Sequence, residues 1–252
     1  RSSSPAERTL CERLAALGLD PYGDDDSRET IERQLADLDF EAAVLRDLLA
    51  ATTPEHIGSA GRGTAQLLER LAAHRLTPMP PRPLAEPTVI ESLPYLAGYA
   101  RAARLRDGLG LSSASPVRDL DDLMKQLFHR TPDVEWVSLA VPDVDAAVRG
   151  GETPTLVGTQ RSPQAGRFLL ARALHHWLFV TVPTSPQRLL TRATDWQQAA
   201  SRAFAAELLA PAEALAARLS NGADWERTDA LAKEFDVASM VIAHQLENHG
   251  LG

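Results

Sequence analysis

The chain has 252 residues, of which 44% are hydrophobic and 24% charged, values typical of a folded globular protein. Its formal net charge of −8 opposes contact with a phosphate backbone, so direct nucleic-acid binding is not expected. One cysteine excludes an internal disulfide, and no apolar run approaches the ~20 residues needed to cross a bilayer, so we expect a cytoplasmic protein without a membrane segment.

The first part of the chain, residues 1–76, is predicted to be helical. Leucines recur at helical spacing within residues 10–17, and similar apolar stripes follow at residues 31–48 and 67–71. The opposite faces of these helices are acidic. We therefore expect a helical N-terminal domain that binds a partner or forms a homo-oligomer through its outer faces.

A proline-rich stretch follows the N-terminal helices. Five of the eleven residues from Thr77 to Pro87 are proline. Proline can neither continue a helix nor donate a hydrogen bond to a sheet, so the stretch predicts a semi-rigid linker. The second domain is then expected to cover residues 88–252.

The second domain is predicted to mix helices with a small sheet. Alternation favours strands at residues 134–141 and 155–159, and Ser162-Pro163 is a typical helix start. Helices are predicted at residues 93–109, 164–179, 195–209, 228–234 and 238–248, with another around Leu120 to Leu127. The expected class is therefore α+β, mostly helical.

Two motifs give the second domain a resemblance to a known family. Residues 167–179, RFLLARALHHWLF, resemble the metal helix of the ImmA/IrrE zinc peptidases, whose pattern is R-F-x-L-A-H-E-x-x-H. Residues 204–211, FAAELLAP, resemble the F-A-A-E-L-L-x-P of the same family. Looser matches extend the resemblance over roughly residues 96–251 and not to the N-terminal helices. The resemblance implies a zincin-like minimal domain, in which a small sheet accompanies the metal helix and the helix after it.

The resemblance also implies which residues should carry the chemistry. Such a peptidase needs two histidines at i and i+4 on one helix face, a glutamate as general base, and a carboxylate from the next helix. The matching positions here hold Arg172, Ala173, His176 and Ala200. Because one imidazole beside a fixed positive charge should not retain a divalent ion, we expect zinc to be absent and peptidase activity to be lost.

Arg172 has two possible roles. A buried arginine needs a partner, so it is expected to fill the former metal space and pair with a carboxylate such as Glu207 or Asp195. Alternatively, its guanidinium captures an anionic ligand in the old substrate cleft. Arg172, His176, Asp195, Glu207 and Trp177 are therefore the predicted cleft residues.

The remaining candidates have structural alternatives. His176 is expected to be a hydrogen-bonded core histidine, although a shifted metal site with Asp195 and one further group stays open. His175 points about 100° away around the helix and is expected to face solvent or the N-terminal domain. Trp177 is expected to lie in the core or on the cleft wall.

The leading hypothesis is a degenerate pseudopeptidase with a regulatory or peptide-binding role. Members of the family it resembles act on or with helix-turn-helix repressors, which suggests that partner class, and Thr155–Thr159 is the candidate edge strand for an extended peptide. The alternative is an enzyme on the same fold. It is either a metallopeptidase with unusual ligands or a cleft in which Arg172 holds a small anion and His176 or His175 is the acid or base. A purely structural subunit, its cleft filled by Arg172 and Trp177, is the third possibility.

Overall fold

We describe a computed structural model of the chain over residues 4–22, 28–75, 92–151, 154–181, 184–219 and 225–251. The predicted linker at residues 77–87 lies outside these ranges. The division of the chain into domains at residues 76 and 88 therefore stays a prediction.

The predicted α+β, mostly helical class is confirmed over the described residues. The helices are α1 Pro5–Ala16, α2 Arg28–Ala36, α3 Ala42–Ala51, α4 Ile57–Ala73, α5 Pro94–Gly108, α6 Leu120–Phe128, α7 Pro163–Phe179, α8 Trp196–Leu209, α9 Ala212–Ala216, α10 Trp225–Phe235 and α11 Ser239–Asn248. The strands are β1 Asp133–Trp136, β2 Val144–Arg149, β3 Thr155–Gly158 and β4 Gln187–Thr191. Within the described ranges, no helix combines the length and the apolar character needed to cross a bilayer.

The four strands form one mixed sheet in the order β1-β3-β2-β4. β1 and β3 are parallel, whereas β2 is antiparallel to both β3 and β4. The prediction of Thr155–Thr159 as an edge strand is wrong, because β3 is hydrogen-bonded on both sides. Its neighbour β2 was not predicted, since most of its residues are buried and its sequence lacks the alternation of a half-exposed strand.

Helices cover both faces of the sheet. On β2, Val144 and Ala147 pack with the N-terminal helices α3 and α4, whereas Ala146 and Val148 pack in the core that contains α7. A bulge between Val144 and Ala146 shifts the strand register and sets Asp145 apart from both core faces. The N-terminal helices therefore share a hydrophobic core with the sheet.

A buried ion pair also joins the N-terminal helices to the sheet. Arg188 of β4 donates from Nε and Nη2 to the carboxylate of Asp47 on α3, at 2.8 and 2.6 Å. The same carboxylate accepts from the backbone N–H of Leu189 at 3.0 Å. This bidentate geometry fixes the position of α3 against the outer strand β4.

Helices α5 and α8 pack closely enough that one position between them must be glycine. A Cβ added at Gly98 would lie 2.8 Å from both the Cβ of Ala203 and the backbone nitrogen of Phe204. Asp195 begins α8, since its Oδ1 accepts from the backbone N–H groups of Gln197 and Gln198 at 3.0 and 3.2 Å. Together α5, α7, α8 and α11 surround the cavity described below.

Candidate functional site

The helix that carries the ImmA/IrrE-like motif begins where its sequence indicates. The side chain of Ser162 accepts a hydrogen bond from the backbone N–H of Ala165 at 3.1 Å, and Pro163 occupies the first turn of α7. α7 then crosses the sheet and packs along α8. This packing directs Arg172 toward the start of α8 and the end of β4.

The Arg172 guanidinium is buried and bonded almost entirely to uncharged protein groups. Its Nε donates to the Ser201 hydroxyl at 3.2 Å, and its Nη2 donates to the carbonyl of Thr191 at 2.8 Å and to Gln198 Oε1 at 2.7 Å. Burial lowers the pKa of Arg172 to about 10, and Asp145 is the main group that opposes this shift. Arg172 is therefore a cation at neutral pH, held in one orientation by α8 and β4.

The carboxylate closest to Arg172 is not one that the sequence predicted. Asp145 Oδ2 lies 3.5 Å from Arg172 Nη1. The predicted partners bond elsewhere, since Asp195 caps α8 and Glu207 accepts from the Ala212 N–H and from Gln245 Nε2. The pairing with Asp195 or Glu207 is thus wrong, because the bulge in β2 brings a nearer carboxylate to this place.

Gln198 links the two helices of the site to the sheet. Its Oε1 accepts from Arg172 and from the backbone N–H of Thr191 at 3.0 Å, and its Nε2 donates to the carbonyl of Leu189 at 2.8 Å. Sequence reasoning missed this residue, although its place at the first turn of α8, two residues before Ala200, was a usable signal. Its amide fixes β4 at the floor of the site.

Both histidines of the motif are fully buried. The contacts of His175 are with α5, α7 and α8, so the expectation that it faces solvent or the N-terminal domain is wrong. His175 Nε2 accepts from Arg101 Nη1 at 2.9 Å, and its ring packs against Phe179 and Phe204. Neither ring nitrogen of His176 has a hydrogen-bond partner among the described residues, so the expected hydrogen-bonded core histidine is wrong as well. Burial, reinforced for His175 by Arg101, lowers the pKa of both rings well below the usual value. Both are neutral at neutral pH.

The other residues singled out around the motif lie in the core. Ala173 and Ala200 are completely buried, and Trp177 lies in the core with its ring against Phe128. No three His, Cys, Asp or Glu side chains converge as a metal-ligand set within the part of the chain that the structure describes. The positions that match the ligands of the ImmA/IrrE pattern hold one imidazole, one bonded guanidinium and two alanines, a set that does not fit zinc.

Beside Arg172 is a cavity of about 680 Å³, a volume common for small-molecule sites. Its walls are largely apolar and include Tyr95 and Tyr99 of α5, Phe168 and Leu169 of α7, Ala203 of α8 and Val241 of α11. Its charged lining residues are Asp145, Arg161, Arg172, Arg192 and Arg202.

Of the predicted cleft residues, Arg172 lines this cavity. His176, Asp195, Glu207 and Trp177 are not among the residues that line it. Sequence reasoning missed Arg161, Arg192 and Arg202, because only the tertiary structure brings them together.

A scan against protein-family models finds no match for the chain, and a search of curated proteins finds none with significant similarity. The resemblance to the ImmA/IrrE family consequently rests on the motifs at residues 167–179 and 204–211.

Proposed function

We propose that this chain is a catalytically degenerate ImmA/IrrE-like pseudopeptidase that binds a ligand in the cavity beside Arg172 and does not hydrolyse peptides. The observation that carries the proposal is the bonding of Arg172. At the position matching the first metal histidine, its guanidinium is held by Gln198, Ser201 and Thr191 at the floor of a ligand-sized cavity. A scaffold that keeps the cavity but has lost the metal-ligating side chains is suited to binding a molecule without cleaving it.

Electrostatics argue against zinc at this place. A divalent ion about 4 Å from a guanidinium meets a repulsion of about 8 kcal/mol at an effective dielectric constant of about 20. The ion would also lack the glutamate and the second-helix carboxylate, since Ala173 and Ala200 stand there. Complete ligand sets provide about 10–16 kcal/mol for structural zinc, so one remaining imidazole does not offset the repulsion.

An enzyme that reuses the cleft receives less support from the geometry. It requires His176 or His175 at the cavity, but neither lines it. Arg172 is already bonded to protein groups and has little capacity left for a substrate. His244 of α11 does line the cavity, yet it is exposed and no described residue hydrogen-bonds to it, so nothing orients it as an acid or base.

The proposed partner is a repressor of the helix-turn-helix type, the class that the family resemblance implies. The apolar faces of α3 and α4 are used against the sheet. Their outer faces, with those of α1 and α2, are what remains for a protein partner or a second copy of the chain. Ligand binding in the cavity would then regulate that association.

Elemental analysis of the purified protein, combined with a casein hydrolysis assay, tests the proposal. We expect far less than one zinc per chain and no hydrolysis. A variant carrying Arg172→His and Ala200→Glu restores two of the missing ligands beside His176. It should gain zinc, whereas the control Arg33→His on α2 should not. Stoichiometric zinc together with hydrolysis by the unmodified protein would overturn the proposal.

A further inference from the structure

We infer that the cavity binds an amphiphilic anion, whose carboxylate or phosphate headgroup lies at Arg202 and whose apolar chain runs along α7, α8 and α11. The inference rests on the proposed binding function and specifies the ligand. It also differs from anion capture by Arg172, because four of the five N–H donors of that guanidinium already have protein acceptors.

The charge at one end of the cavity is strongly unbalanced. Asp145 is the one carboxylate among the described lining residues, and four arginines face it. Three of these arginines pair with the Asp145 carboxylate. Their N···O distances are 3.2 Å for Arg161, 3.5 Å for Arg172 and 3.6 Å for Arg192. Arg161 and Arg192 are half-exposed, so their side chains can turn toward a ligand. An anion that enters this end would balance positive charge that the one lining carboxylate does not offset.

Arg202 is the cation whose donors are unused. It makes no hydrogen bond or ion pair with any residue that the structure describes, and its Nη1 is buried without a partner. The accessible donors of the half-buried guanidinium also have no described acceptor, so a bound oxygen would gain charge-assisted hydrogen bonds there. The planar guanidinium can grip a carboxylate or a phosphate through two parallel hydrogen bonds. Arg202 is therefore the expected headgroup contact.

The wall around Arg202 suits an apolar chain. Ala199, Ala203 and Ala206 of α8 line the cavity. Ala199 and Ala206 lie one helical turn before and after Arg202. Phe168 and Leu169 present a similar apolar face on α7.

The rim of the cavity is apolar as well. Tyr95 and Met240 line it and are 44% and 69% exposed. An apolar chain that extends past the walls would cover them.

A small amphiphile fits better than an extended peptide. Strand addition requires an unpaired sheet edge along the ligand. The walls here are helical side chains, and the sheet contributes Asp145 and Thr191 at one end. The lining is mostly apolar along α7 and α8, which suits an alkyl chain better than a peptide backbone with its row of N–H and C=O groups.

Isothermal titration calorimetry on the full chain tests the inference with decanoate, decyl phosphate, decanol, acetate and inorganic phosphate. We expect one decanoate or decyl phosphate per chain. Decanol should bind at least about tenfold more weakly, because it lacks the charge-assisted hydrogen bonds, and the short anions should be weaker still. The tighter of the two long anions identifies the headgroup. Affinity should fall as salt concentration rises, since the guanidiniums are partly exposed.

Variants locate the site. Arg202→Gln should weaken decanoate binding about tenfold or more, whereas Arg33→Gln removes the same charge from the distant helix α2 and should have no effect. Ala206→Phe should weaken the binding of the long anions, because its ring would occupy space that the apolar chain needs beside α8. Asp145→Asn should strengthen the binding of the long anions, because it removes the carboxylate that competes with them for the arginines. Melting curves identify any variant that fails to fold. If Ala206→Phe or Asp145→Asn fails to fold, the binding measured for Arg202→Gln decides the test.

Three results would overturn the inference: no binding of either long anion, equal binding of decanol, or equal binding of acetate or phosphate. An Arg202→Gln variant that folds and binds as the unmodified protein does would also overturn it. Zinc content and casein hydrolysis, measured on the same preparation, separate the two proposals. Absent zinc without amphiphile binding defeats this inference alone, whereas bound zinc with hydrolysis defeats the proposed function.

Discussion

Mild acid should destabilise the protein through the buried pair His175 and His176. Burial lowers the pKa of both rings well below the usual value, and the cations Arg101, Arg172 and Arg188 act in the same direction. In the unfolded chain each ring would titrate near pH ~6.5. Below that pH the unfolded chain binds protons that the folded chain does not. Stability is therefore complete above about pH 6.5 and falls as the pH is lowered.

The size of the effect follows from proton linkage. Between about pH 7.5 and about pH 5.5, a ring that stays neutral in the folded state and titrates freely in the unfolded state costs about 1.4 kcal/mol. Both rings are completely buried, so solvent screening does not reduce this cost. The pair should together lower the free energy of unfolding by about 2.7 kcal/mol over this interval.

Urea unfolding followed by far-UV circular dichroism at the two pH values measures the effect. His176→Leu should retain about half of the pH dependence. It should be at least as stable as the unmodified protein near neutral pH, because neither ring nitrogen of His176 has a described hydrogen-bond partner. The control His56→Gln replaces an exposed histidine and should keep the whole dependence. If His176→Leu responds to acid as the unmodified protein does, the ring is protonated or solvated in the folded state and the reasoning fails.

Two further substitutions test the packing around the sheet and the cavity. Asp47→Ala should cost about 3–5 kcal/mol, because it leaves the buried guanidinium of Arg188 without its carboxylate. Glu29→Ala, which breaks an exposed pair on α2, should cost less than about 1 kcal/mol in the same urea titration, and equal costs would contradict the argument. Gly98→Ala should cost about 1–3 kcal/mol, because its Cβ meets backbone atoms of α8. Gly58→Ala, whose Cβ meets only the movable side chain of Gln34, is the matched control and should be neutral or slightly stabilising by thermal melting.

The sequence by itself determined most of the helices. Ser162 and Pro163 define the start of α7 because capping is a local interaction. The helical spacing of apolar residues before Pro211 likewise predicted the length of α8. Arg172 was singled out by the resemblance of residues 167–179 to the ImmA/IrrE metal helix, and its contacts with Gln198 and Ser201 of α8 were not predicted.

Only the tertiary structure decided the sheet, the charges of the cavity and the fate of the histidines. β2 is buried by helices on both faces, so its sequence carries no alternating signal, and the bulge that exposes Asp145 was therefore not predictable. Arg202 joins Arg161 and Arg192 because α8 packs beside the ends of β2 and β4, a contact between residues distant in sequence. His175 was expected to face solvent or the N-terminal domain, since it points about 100° away from His176 around α7. It is buried because α5 and α8 cover that side of α7. The sequence of α7 alone does not show which helices pack against it.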